Sequence, residues 1–135
     1  MKETGITMTL TVDGSSGVAR DISNDVTNFD FGTPRAMQDV TGLDKLANER
    51  LLLLADFSIN INGVYNPAAQ KSHAVFETVP VQTSTELRTV KVAVSGSTLV
   101  VETLFSDYAL TRAATGELTW NAPGQGAGGT VPTWG

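Results

Sequence analysis

The 135-residue chain contains no cysteine. Disulfides, zinc–thiolate centres and thiol nucleophiles are thereby excluded. Histidine is nearly absent as well. The single one, His73, would need a triad or a metal site assembled around it, so it reads as a surface or interface residue. Charged residues make up only 17% of the chain, and acids outnumber bases 14 to 9, for a net charge of −5. Tight duplex DNA binding needs phosphate neutralisation by Lys and Arg, which this balance does not supply. The longest apolar run, Leu51 to Ala55, is far short of the ~20 residues of a membrane helix, so no membrane is expected. No apolar segment follows Lys2, and no signal peptide is expected. GxSxG elbows, P-loops and HExxH patterns are all missing, so no enzyme, catalytic residue or cofactor is expected.

What remains is rich in Thr, Ser, Asn and Gly, a composition that suits β-structure with polar faces. Ile6, Met8, Leu10 and Val12 alternate with Thr7, Thr9 and Thr11, the period of a half-buried strand. The turn residues Asp13 to Gly17 then predict a hairpin back through Arg20. Asp21 to Val26 reads as a turn or a single helical turn. Its acids, with Asp30, lack the Gly and terminal Glu of a calcium loop, so no metal site is expected. Thr27 to Phe31 predicts a second strand. Gly32 to Gln38, with Pro34, reads as a loop. Thr41 precedes Asp44 at capping-box spacing, and Leu43, Leu46, Ala47 and Arg50 follow at helical spacing, predicting a short helix to Arg50.

Leu51 to Asn62 predicts the longest strand, with Leu53, Phe57, Ile59 and Ile61 on its buried face. Leu52 and Leu54 make its first half apolar on the other face too, which calls for cover on both sides, by the short helix or by another copy of the chain. Asn62-Gly63 is the strongest tight-turn signal. Pro67 to Lys71 reads as a helical turn and His73 to Val79 as a strand. Glu86 to Val94 and Leu99 to Phe105 predict a hairpin about Gly96, followed by a short strand from Tyr108 and another from Glu117 to Trp120. The last stretch, Asn121 to Gly135, holds five of the 13 glycines and two of the five prolines. It predicts a flexible arm on a domain spanning residues 1–120, ending in Val131 and Trp134, which either dock on a neighbour or pack back. The sum is all-β with one short helix, a β-sandwich or small barrel.

Three segments in order carry a resemblance: RDISNDVTNFDF, DVTGLDKLANERLLLLADFSININGVYNP and YALTRAATGELTWNAPGQGAGGTVPTW. Together they resemble the major tail proteins, the tail tube subunits of long-tailed phages with non-contractile tails. The resemblance implies a β-sandwich of the phage tail tube type flanked by a short helix. It implies subunits in stacked six-membered rings around a channel for the genome, with arms that order on assembly. Six copies would carry 6 × −5 = −30 per ring, which suits a channel that lets DNA pass without specific binding. The implied partners are further copies of the chain and the tape measure, terminator and distal tail proteins. The implied location is the virion, after synthesis in the host cytoplasm. Candidate subunit-interface residues are Leu43, Leu46, Leu52, Leu54, Tyr65, Phe76, Val131 and Trp134. Lumen residues are not readable. The rival readings are a tail terminator or head–tail connector protein, and a receptor- or carbohydrate-binding sandwich.

Overall fold

The structure, a computed structural model, describes residues 2–82 and 85–135. Eleven strands, one short α-helix and two single 3-10 turns make up the described chain. The first leaf of sheet contains β1 (Thr9–Asp13), β2 (Ala19–Asp21), β7 (Arg88–Val94) and β8 (Ser97–Phe105), in the order β2-β1-β7-β8, all antiparallel. The second contains β3 (Val26–Gly32), β6 (Ser58–Val64), β9 (Ala109–Arg112) and β10 (Leu118–Gly126). The two leaves join where Gly124–Gly126 of β10 pairs with Phe105–Thr103 of β8. Beyond that junction the strands diverge. The freed half of β10 takes β9, and the freed half of β8 takes β11 (Thr133–Trp134).

Alternation explains the core. Leu10 and Val12, Val90 and Val92, Leu99 and Val101 point inward from the first leaf. Phe57, Ile59, Ile61, Trp120 and Ala122 point inward from the second, and all belong to one buried cluster. The expected burial of Phe57, Ile59 and Ile61 is met, and the fold is all-β with one short helix.

The predicted long strand is two strands. β5 (Arg50–Ala55) pairs only with β4 (Arg35–Asp39), whereas β6 pairs with β3 and β10. The ladder breaks at Asp56, whose carboxylate accepts from the Phe57 N–H at 2.7 Å while its own N–H donates to Pro34 O. Leu53 therefore lies outside the core and is exposed. Pro34 sits just before β4, so Gly32 to Gln38 is mostly strand, not loop.

No helix follows Thr41. Its hydroxyl donates to Asp39 Oδ1 at 2.5 Å and accepts from the Glu49 N–H at 2.8 Å, clamping the base of a hairpin loop. Leu43 and Leu46 face no surface that would make a helix worthwhile. The helix lies elsewhere, as α1 (Ser72–Phe76), within the stretch expected to be a strand. Val75 and Phe76 of α1 and Val79 of the 3-10 turn that follows are all buried. The buried Asp25 carboxylate holds this region by accepting from the Ser72 N–H and Asn66 Nδ2.

Asn62-Gly63 is not a turn but the interior of β6. A Cβ on Gly63 would lie 2.6 Å from the Trp120 ring and against the Asp25 carbonyl, so the glycine permits close packing, not a reversal. Gly63→Ala is expected to destabilise by about 1–3 kcal/mol through this overpacking, read as a drop in the urea midpoint at unchanged slope. Ile6 lies in the turn before β1 and is exposed, so the first strand starts later than its alternation suggests. The expected arm boundary also moves. Asn121 to Gly126 belongs to β10, and Ala122 is fully buried.

Candidate assembly interface

The β4–β5 ribbon stands apart from the main sheet as a separate two-stranded sheet. Its register pairs Asp39 with Arg50, Gln38 with Leu51 and Met37 with Leu52, with a bulge between Met37 and Arg35. The Arg35 guanidinium donates twice to Leu53 O, at 3.1 and 2.8 Å, and straps the base. Above it the ribbon is apolar on both faces and covered on neither. Met37, Val40, Leu51, Leu52 and Leu53 are all exposed; Leu54 is 88% exposed, and the loop residues Leu43 and Leu46 are 108% and 105% exposed. At the loop, hydrogen bonds from Thr41 hold the fully exposed Asp39 carboxyl below the usual aspartate value. Thr41→Ala is expected to loosen the loop with little change in global stability, seen as faster amide exchange at Glu49.

Further apolar side chains are exposed around β8 and β11, Val100 on the outer face and Trp134 on the opposite one, across from Leu99. Val100, Val131 and Trp134 are each about half exposed. Trp134 packs back onto its own domain, 6.1 Å from the Phe31 ring, while keeping 50% of its surface in water. The chain crosses from β10 to β11 through Ala127–Pro132, and a cleft of about 360 Å³ opens between that crossing, β8 and the root of the ribbon.

The remaining candidates divide. Tyr65 is half-buried, its ring 4.9 Å from His73. His73 is also half-buried, with Nδ1 3.2 Å from the Tyr108 hydroxyl and Nε2 3.4 Å from Glu77. Phe76 is not available to a neighbour. It is fully buried and packs against Phe105, Tyr108 and Trp120. A helix hides it, where a strand reading would have left it at a surface. Met37, Leu51 and Val100 were missing from the expected set, although the unbroken Leu51–Leu54 run signals a strand apolar on both faces.

Burial, then the neighbouring Tyr65 and Glu77, pushes the Tyr108 phenol up to about 12 from 10.0. The folded state thus holds this proton more tightly than the unfolded state. The stabilisation is complete below pH 10.0 and is lost as pH rises through about 12. Tyr108→Phe should remove the latest step of the ultraviolet tyrosine titration. Arg88 is another buried polar group, its guanidinium donating to Val75 O and, at 2.8 Å, to Thr78 Oγ1. Burial lowers its pKa, opposed by Glu86 and Asp13. It ties β7 to the α1 region. Among the described residues, no group of three or more His, Asp or Glu is placed to hold a metal ion, and no helix is long and apolar enough to cross a membrane.

The arrangement defines an all-β sandwich that carries an uncovered apolar ribbon. No protein-family model matches the chain, and no curated protein sequence matches it. Among solved structures, it is similar to a chain of the virion of a native gene transfer agent particle, with TM-score 0.77, 15% identity and 99% of each chain covered. It is also similar to a chain of the tail of an empty gene transfer agent particle of C6 symmetry, with TM-score 0.76, 17% identity and 99% coverage of both chains. At these identities the likeness is one of fold, over the whole length.

Proposed function

We propose that the chain is a structural virion protein, the repeating subunit of a tail tube built from stacked rings. The observation that carries this reading is the ribbon. Eight large apolar side chains, Met37, Val40, Leu43, Leu46 and Leu51–Leu54, face water in the isolated chain. Exposed contiguous apolar surface of this kind marks an interaction site. Burial gains roughly 25 cal/mol per Å², so covering such a ribbon is a strong driving force for association. The full-length fold likeness to chains of gene transfer agent particles, one of them in a C6 tail, supports a tail role and a six-fold ring. The excess of acids supports a channel along which a duplex slides without being held. In this role the chain's partners are its own copies and the tape measure, terminator and distal tail proteins, and its place is the virion.

The carbohydrate-binding reading loses its platform, because Trp120 and Tyr108 are core residues. Negative-stain microscopy of the purified protein tests the proposal. Long tubes are expected, whereas rings alone would favour a terminator or connector. The double variant Leu52→Asp, Leu54→Asp should keep the circular dichroism of the parent, since both side chains are exposed. It should lose tubes by at least tenfold. Unimpaired tube yield would remove the ribbon from the assembly.

A further inference from the structure

We propose that Asn62 is a deamidation site, closed in the folded chain and open in the unfolded one, whose modification marks chains that have failed to fold. No other asparagine of the chain precedes a glycine. That order of residues is the reactive one, because no side chain on the glycine hinders its amide nitrogen. In the reaction the Gly63 nitrogen attacks the side-chain carbonyl carbon of Asn62. The new C–N bond replaces the bond to the side-chain amide nitrogen, which leaves as ammonia with the proton of the Gly63 N–H. Water then opens the resulting succinimide at one or other of its carbonyls. One opening gives aspartate. The other gives isoaspartate, in which the main chain runs through the former side-chain carbon. The fold cannot avoid the labile pair by changing position 63, where a Cβ would lie 2.6 Å from the Trp120 ring.

Three features close the site in the folded chain. First, Asn62 lies inside β6. Strand backbone, with ψ of about +135°, turns the Gly63 nitrogen away from the Asn62 side chain, whereas ring closure needs the two together. Second, the nucleophile is engaged. Thr27 Oγ1 donates to Asn62 O at 3.2 Å from the β3 side. The C=O and N–H of one trans peptide point in opposite directions, so the Gly63 N–H faces β10, where Trp120 is its cross-strand partner. Third, the electrophile is fixed. Asn121 Nδ2 lies 2.9 Å from Asn62 Oδ1 and 2.6 Å from Asn60 Oδ1, which ties the Asn62 amide to the outer face of the sheet. All three are lost together when β6 leaves the sheet.

The two products differ in what they do to the fold. Aspartate keeps the ordinary backbone, and its carboxylate accepts from Asn121 Nδ2 as the amide oxygen does. Isoaspartate lengthens the main chain by one methylene just before Gly63. There β6 pairs with β10 in unbroken register from Val64 to Ser58, and the glycine sits against the Trp120 ring with no room to spare. The added atom must displace either the ladder or the glycine, and a close-packed core resists both. A chain that carries isoaspartate at this position is therefore barred from the native sheet.

The test uses the unaltered protein. Native and urea-unfolded samples are aged side by side at mildly alkaline pH, and the tryptic peptide of residues 51–71 is sequenced by mass spectrometry. The mass gain at Asn62 is expected to be at least tenfold faster in urea, because modification of a protected group follows the population of the open form. Asn60 and Asn66, in the same peptide but before Ile61 and Pro67, should change little in either sample. Comparable rates at Asn62 in the two samples overturn the protection. The aged urea sample is then diluted to refold, and its soluble folded fraction is mapped with an endoproteinase that cuts before aspartate but not before isoaspartate. Isoaspartate at position 62 should be depleted at least tenfold relative to the input, and aspartate at that position retained. Isoaspartate that enters the folded fraction in its input share overturns the marking role, as does equal loss of both products. Neither measurement involves tubes, so the tube reading stands or falls separately.

Discussion

Trp120→Ala is expected to destabilise the domain by about 3–5 kcal/mol, the range for removal of a large buried aromatic. The indole is 2% exposed, with Phe76 5.3 Å and Tyr108 6.0 Å from it, centroid to centroid. Its far side is closed by Gly63, where no Cβ could fit. Nothing mobile stands ready to collapse into the space, so the upper part of the range applies. The Nε1 hydrogen bond to Val64 O, at 3.0 Å, is the smaller part of the loss. Val64 is half exposed, so water can take the freed carbonyl, and the net value of such a bond is about 1 kcal/mol. Domain stability is typically ~5–15 kcal/mol, so the variant should be close to unfolding at physiological temperature. Urea denaturation followed by far-ultraviolet circular dichroism measures this. A loss below about 1 kcal/mol would mean that the aromatic cluster is not the centre of the core.

The hairpin of β7 and β8 was legible because each strand alternates strictly and Gly96, at φ +83°, supplies the left-handed turn residue. The same alternation gave Ile59 and Ile61. Other features depend on contacts that local sequence does not contain. Asn62-Gly63 carries the residues of a tight turn, yet Gly63 has no positive φ. It is required by the Trp120 ring, which arrives from a strand more than fifty residues away. Thr41 with nearby acids has the hydrogen-bonding capacity of a helix cap, and the same capacity closes a loop across Asp39 and Glu49. Asp56 ends a strand by capturing the next N–H, a choice that an unbroken apolar pattern conceals. As for the candidate interface, Leu52 and Leu54 were readable from the apolar run, and Leu43 and Leu46 entered the set as one face of a helix that does not form. Phe76 could not be placed without knowing that His73 to Phe76 is helical.

The Gly- and Pro-rich C-terminal composition predicts flexibility, yet Pro123 and Gly124 occupy specific positions in β10. A Cβ on Gly124 would meet Thr103 at 2.8 Å and the Phe105 ring at 2.9 Å, so only glycine lets β10 cross β8 there. Pro123 falls between Asn121, the last residue paired with β9, and Gly124, the first paired with β8. On that edge no partner strand needs its missing N–H. A Gly- and Pro-rich sequence is thus compatible with a central strand when its exceptions coincide with a change of partner.

Two truncations separate these readings. Removal of residues 122–135 takes away the half of β10 that pairs with Ile61 to Ser58 on one side and with Phe105 to Thr103 on the other. It deletes the fully buried Ala122 and severs the join between the two leaves, leaving Phe57, Ile59 and Phe105 facing water. Exposing three such side chains costs about 1.5–3 kcal/mol each, comparable with the whole stability of a domain of this size. The expected product is an unfolded or aggregated chain without a cooperative thermal transition. Removal of residues 130–135 takes only β11 and its mutual backbone hydrogen bonds between Thr98 and Gly135. Half-burial of Trp134 removes roughly 100 Å² from water, worth about 2.5 kcal/mol. Ordering the segment opposes this by ~1–2 kcal/mol per residue, so the net loss of stability should be small. The shorter truncation should therefore fold and melt much like the parent, yet lack the exposed apolar side chains of Val131 and Trp134 and give few or no tubes. Calorimetry and negative-stain microscopy on the two variants decide the matter. A cooperative transition in the longer truncation would show that the β8–β10 junction is dispensable. Normal tubes from the shorter one would remove the C-terminal crossing from assembly.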